Sequence, residues 1–418
     1  MPVMPVIKVL ILSTLGILSS VKAEPAYLVD HIDLIAIDPQ LSLSDLVNKT
    51  LQQYPDYKLI AAMHQESEAL NERGSRWVAG APNVSLYYKD DFAGSDIGAY
   101  EFEGSVQVPI WNWGQRDAGL RLAEYSEQSI AYQVKSMELK VAGLVRKALW
   151  QMKLEQLRYG IAQKSYHLAE QLSATVQRRV QLGDLPRTDF LLAQSEVLQK
   201  KTDLIYAEAE LMHARKKFSF LVQDNKIPAQ INETQSTLMK ISDTHPDLAG
   251  ISAVITQKKA KIAWLKAKGS GQTNIAIGGN KERDSRTDSS VDSIVFSLSV
   301  PFGGQAYSAP KVAAANKAFV QAEMEKAHLY RALLAEVHEA EHELEIERAA
   351  QEIAIQMQAN AQEQLKMANL SFSEGEINLM DFLKIQARSL RAISNAQESA
   401  IRLQRDIAFY NQAVGVIP

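Results

Sequence analysis

Two stretches of the chain alternate strictly between apolar and polar residues. Tyr100, Phe102, Val106, Val108 and Ile110 are interleaved with Glu101, Glu103, Ser105 and Gln107. Ile294, Phe296, Leu298, Val300 and Phe302 are interleaved with Ser293, Ser297 and Ser299, with Val295 as the exception. Successive side chains of a strand point to opposite faces, so a period of two predicts strands with one apolar and one polar side. A shorter apolar series precedes each: Val84, Leu86 and Tyr88 in one case, Ile275 and Ile277 in the other. Polar segments 89–98 and 280–290 separate the members of each pair. The pattern predicts two β-hairpins, at 82–110 and 272–302.

Elsewhere the period is helical. Ile130, Val134, Met137, Val141, Leu144 and Ala148 are spaced 4, 3, 4, 3, 4, a heptad seam, and Leu333, Val337, Ala340 and Leu344 keep part of that spacing. Pro186 is the only proline between Pro109 and Pro228, and none lies between Pro310 and Pro418. Proline breaks helices, so its scarcity marks long ones. One helix is expected from about 115 to 181, a rod of roughly 100 Å at ~1.5 Å per residue. Tight turns are expected at 181–189 and 372–381, each followed by a returning helix. Shorter helical segments, 42–78 and 245–268, precede the hairpins.

The two halves are copies of one plan. Tyr54-Pro55-Asp56 recurs as His245-Pro246-Asp247, and Val108-Pro109-Ile110 as Val300-Pro301-Phe302. Gly183-Asp184-Leu185, Asp189-Phe190-Leu191 and Gln194 recur as Gly375-Glu376-Ile377, Asp381-Phe382-Leu383 and Gln386, 192 residues later. Landmarks in one order at a near-constant shift indicate tandem duplication. The expected organisation is a first repeat at 42–223, an inter-repeat segment at 224–243 and a second repeat at 244–418. Residues 1–23, with Lys8 before the apolar run Val9 to Leu18 and a small-residue exit at Ala23, read as a secretory signal peptide, and 24–41 as an N-terminal extension.

Composition narrows the classes. The 418 residues include no cysteine, which excludes disulfides, thiolate metal sites and a lipidated cysteine. A net charge of −4 argues against a nucleic-acid binder. Long amphipathic helices and four strands leave more apolar face than one soluble monomer can bury, so further copies are expected.

The duplicated half, the Leu182-Gly183-Asp184-Leu185 turn with its second copy, and the strand pair ending in Val-Pro before Gly114-Gln115 or Gly304-Gln305 together resemble the TolC family of outer-membrane efflux proteins. The resemblance spans nearly all of the mature chain. The short form without a lipidated cysteine is most similar to the heavy-metal (cobalt-zinc-cadmium) efflux branch. It implies a mainly α protein with a small β part, long coiled-coil-like helical hairpins and two β-hairpins. A homotrimer would form a periplasmic α-barrel and a 12-stranded outer-membrane β-barrel with lipid around it. The implied partners are a periplasmic membrane-fusion adaptor and an inner-membrane pump of RND type; no cofactor is implied. The implied place is the outer membrane of a Gram-negative bacterium, with a large periplasmic part. The positions matching the family's tip are Arg179, Leu182, Gly183, Asp184 and Asp189, with Gly375, Glu376 and Asp381 in the second copy. Ser371 stands where Arg179 does. Asp184, Glu374 and Glu376 would crowd the pore mouth of a trimer and favour cations. Glycine suits a left-handed helix end, and Asp189 or Asp381 is expected to cap the returning helix. Trp111 and Trp113 fit either an interfacial aromatic belt or core packing.

A rival class is an exported metalloprotease, because His338-Glu339-Ala340-Glu341-His342 matches H-E-x-x-H. The corresponding positions of the first repeat are Arg146 and Trp150, and no third histidine follows at metzincin spacing. The motif is therefore read as decoration of a helix, with His338 and His342 as candidates for weak divalent-ion binding from a lumen face. A passive duct for metal cations is the favoured reading. Drug or type I protein export on the same fold and a periplasmic structural coiled coil are the alternatives.

Overall fold

The computed structural model describes residues 34–418. The leader expected at 1–23 and most of the extension at 24–41 lie outside the described residues. β1 (Ala36–Asp38) lies in the extension, and the first half then comprises α1 (Leu43–Gln53), a 3-10 turn at Pro55–Tyr57, α2 (Lys58–Ser75), β2 (Asn83–Asp90), β3 (Tyr100–Ile110), α3 (Gln115–Gln181) and α4 (Arg187–Val222). After β4 (Lys226–Pro228) the second comprises α5 (Pro246–Lys268), β5 (Thr273–Arg283), β6 (Val291–Ser299), α6 (Ala309–Ser373) and α7 (Leu379–Ala413). The protein is mainly helical with a small sheet.

The alternating segments form one antiparallel sheet in the order β2-β3-β5-β6, so the second hairpin extends the first through β3 and β5. Toward the helical end of the sheet the register largely aligns apolar with apolar and polar with small or polar residues, whereas at the loop end Tyr88 and Phe102 share a row with Lys281 and Asp292. Val84, Val106, Ile277 and Phe296 form one row, and Ser85, Ser105, Gly278 and Val295 the next. Val295, the exception in the sequence pattern, therefore lies on the polar face opposite Gly278. A side chain at Gly278 would meet the Gly104 carbonyl oxygen at 2.5 Å, so the glycine makes room for tight strand contact. No helix covers either face among the described residues, and Val84, Leu86, Ile294 and Phe296 are all more than two-thirds exposed.

At one end of the sheet each hairpin joins its helices through a proline packed over a glycine. Pro109 lies 3.3 Å from where a Cβ on Gly80 would be, and Pro301 lies 3.1 Å from one on Gly271. These pairs are equivalent in the two copies. Asn112 ties the hairpins together there, donating to the Lys268 and Gly271 carbonyls at 2.9 and 2.8 Å. Trp111 donates its indole N–H to the Arg76 carbonyl at 3.0 Å, whereas Trp113 is fully exposed.

α3 has 67 residues and α6 has 65; α4 returns along α3 and α7 along α6. α5 lies between α3 and α6. The heptad seam holds from Ile130 to Val141 but not beyond. Leu144 is 37% exposed, and burial passes to Val145, Leu149 and Met152. The reason is that α3 meets α1, α4 and α7 as well as α5, so its middle is enclosed on several sides and a single stripe no longer describes it. An equatorial core forms there from Leu46, Val47 and Leu51 of α1, Val145 and Leu149 of α3, and Leu211 and Phe218 of α4. α6 keeps its seam, with Leu333, Val337 and Leu344 buried. β1 and β4 pair in parallel beside this core, joining the extension to the inter-repeat segment.

Candidate functional site

Both far turns are built by one backbone device. α3 ends where the Gly183 N–H donates to the Val180 carbonyl at 3.1 Å and the Asp184 N–H to the Arg179 carbonyl at 2.8 Å. α6 ends with Gly375 donating to Phe372 at 3.3 Å and Glu376 to Ser371 at 2.8 Å. This paired closure needs a left-handed residue after the helix, and Gly183 and Gly375 supply it at φ +81° and +76°. The returning helices start differently. Asn378 caps α7, its Oδ1 accepting from the Asp381 N–H at 2.8 Å while its amide donates to the Asp381 carboxylate at 2.9 Å. Pro186 precedes α4 without a side-chain cap. The expected capping by Asp189 or Asp381 is therefore corrected. Both stand three residues inside the cap position, where their charge favours the positive helix end instead.

Arg179 links the two turns. Its Nε donates to Asp184 at 3.1 Å, its Nη1 to the Phe372 carbonyl at 3.0 Å, and its guanidinium lies 5.3 Å from the Phe372 ring centre. Phe372 stacks on Phe382 at 4.8 Å inside an apolar plug with Val176, Ala193, Ala368 and Leu379. Ser371, the counterpart of Arg179, is too short to reciprocate. The structure thus brings together Arg179, Asp184 and the end of α6. Leu182 projects, 77% exposed, while Glu374, Glu376 and Asp381 are also exposed. Glu374 and Glu376 form no ion pair among the described residues.

His338 and His342 lie one turn apart on the exposed side of α6, rings stacked at 6.4 Å between centres. No group of three or more metal-ligating side chains exists among the described residues.

Sequence reasoning missed a buried polar knot at the equator. Arg146 has no exposed side-chain surface. It donates to both oxygens of Glu233 at 2.9 and 2.6 Å, to Gln412 at 2.6 Å and to the Val416 carbonyl at 3.0 Å. Asn411 extends the knot, accepting from the Ser236 N–H at 2.8 Å and donating to the Thr234 carbonyl at 2.9 Å. His245 is also buried, and burial pushes its imidazole below its ordinary value. The available signal was weak, an arginine beside Lys147 with apolar residues from Val141 to Val145 on one side and Ala148 and Leu149 on the other.

The sequence model of the outer membrane efflux protein family matches residues 46–221, which is most of the first repeat. No curated protein matches the chain by sequence. Among solved structures, the CmeC outer membrane channel of Campylobacter jejuni is similar at TM-score 0.69 and 14% identity, over 89% of this chain and 85% of that one. The MtrE outer membrane channel of Neisseria gonorrhoeae, in its open state, is similar at TM-score 0.68 and 15% identity, over 92% and 90%. CusC, described for folding and transmembrane channel formation, is similar at TM-score 0.68 and 14% identity, over 90% and 92%. At such identities the likeness is one of fold, and it extends over both repeats. Residues 46–221 thus carry the sequence pattern of the outer membrane efflux protein family, and the fold of the solved outer-membrane channels extends along the rest of the chain.

Proposed function

We propose that three copies of this chain form the passive exit duct of a tripartite efflux system, carrying heavy-metal cations. The observation that carries the reading is the four-stranded sheet, with an uncovered apolar face and unpaired edges at β2 and β6. Open edges and bare backbone are not tolerated in hydrocarbon, and four strands cannot close on themselves. Three sheets joined edge to edge give a closed ring of twelve strands, apolar toward lipid and polar toward a lumen. The long helices then continue as a periplasmic tube. Its tip, at Arg179, Leu182, Gly183, Asp184, Asp189, Gly375, Glu376 and Asp381, meets a periplasmic adaptor that connects to an inner-membrane pump of RND type. Exposed Asp184, Glu374 and Glu376, repeated threefold, would form a mouth that favours cations.

The assembly is tested by fractionation and gel mobility. The protein is expected in the outer-membrane fraction as a detergent-solubilised trimer that collapses to monomer on boiling. A monomer soluble without detergent overturns the reading. Growth of a deletion strain across metals and drugs tests cargo, with sensitisation to divalent metals alone expected. Sensitisation to drugs alone reassigns the duct to drug export.

A further inference from the structure

The exposed side of α6 carries a feature that the duct reading does not use. His338 and His342 are four residues apart on one helix, where side-chain origins lie roughly 5–6 Å from each other. The rings lie nearly parallel, 10° apart in plane and 6.4 Å between centres. Neither ring makes a hydrogen bond or ion pair among the described residues. This separates them from His64 and His167, each beside a glutamate at 3.2 and 3.4 Å. Rotation of the two side chains brings one nitrogen of each toward a shared ion at the usual metal–imidazole distance of ~2.0–2.1 Å.

The surroundings favour a cation. Glu339, Glu341, Glu343 and Glu345 occupy the same stretch and are exposed. Glu341 follows His338 by three residues and Glu345 follows His342 by three, so both fall on the histidine side of the helix. The opposite side, with Val337 and Leu344, is buried against α7 and Ile241. Divergence between the repeats isolates the pair further. Its counterparts Arg146 and Trp150 are buried in the core, so the histidines occupy a position that packing no longer uses.

We propose that His338 and His342 chelate one divalent transition-metal ion per chain, such as Zn2+ or Ni2+, with water or a neighbouring glutamate completing the coordination. Imidazole nitrogen selects these ions over calcium or magnesium. The site stands whether or not metals are the cargo, because it rests on the helix itself.

Titration calorimetry of the detergent-solubilised full chain with Zn2+ tests it. One equivalent per chain is expected to be lost in the double variant His338→Ala with His342→Ala. Losing either imidazole alone forfeits chelation and is expected to weaken that equivalent roughly a hundredfold. The variant His338→Ala with Ile346→His restores an i,i+4 pair at His342 and is expected to recover binding. His64→Ala and His167→Ala are expected to leave that equivalent in place. Both histidines are exposed, so the variants should fold, and unchanged trimer mobility verifies it. No Zn2+ uptake by the wild type at millimolar metal, or uptake unaltered in the double variant, overturns the proposal.

Discussion

Arg146 carries a full positive charge into the equatorial core, where only complete pairing makes it tolerable. Its two bonds to Glu233 neutralise the charge, and Gln412 and the Val416 carbonyl take further donors. Arg146→Ala and Glu233→Ala are each expected to cost about 3–5 kcal/mol, because each strands a buried polar partner. The double variant should lose much less than the sum, which thermal unfolding of the four proteins in a mutant cycle will measure. His245 gives a pH dependence of definite sign. Its folded value is depressed by burial, so below the ordinary imidazole range near ~6.5 the unfolded chain binds more protons than the folded one. Stability is therefore complete above that range and falls as the pH drops through it. His245→Gln should flatten the decline between pH 7 and pH 5 in thermal scans. At this scale the sequence was partly legible. The left-handed glycines of the turns announce themselves, since no other residue suits φ near +80° as well. The Arg146 knot does not, because its partners lie 87 and 266 residues away and only folding brings them together.

Elements were read most reliably where one periodicity holds for many residues. The strands follow their alternation where the register aligns like with like, as in the row Val84, Val106, Ile277 and Phe296. The seam of α3 faded at Leu144 for the opposite reason, since enclosure by several helices removes the contrast between faces. The caps of the return helices were misplaced by three residues. Asp381 has the right chemistry, but Asn378 holds the backbone position that can reach it. The sheet yields a sharp test of which face meets lipid. Leu86→Arg near mid-strand is expected to cost about 2–4 kcal/mol of membrane stability and to deplete the boiling-sensitive trimer. Ser85→Arg, one residue away on the polar face, should leave the trimer yield near wild type. Equal loss in both variants would reverse or abolish the assignment of faces.

In the whole molecule the order helix, β-hairpin and two long helices occurs twice. Pro109 over Gly80 and Pro301 over Gly271 form the same joint between sheet and helix in both halves. The halves differ at Arg179 against Ser371, and at buried Arg146 and Trp150 against the two exposed histidines. The repeated element order was legible because both halves lie in one chain. The parallel pairing of β1 with β4 was not, because three-residue strands carry too little pattern to register.

The unpaired edges of β2 and β6 also shape how the proposed ring comes together. Two copies share a single seam and still expose two edges, an average of half a seam for each chain. Three copies share three seams and expose none. Stabilisation per chain thus doubles at the last addition, so pairs should be fleeting and assembly should run from single chains to closed rings. A substitution at either edge strand is then felt at every seam of the ring at once.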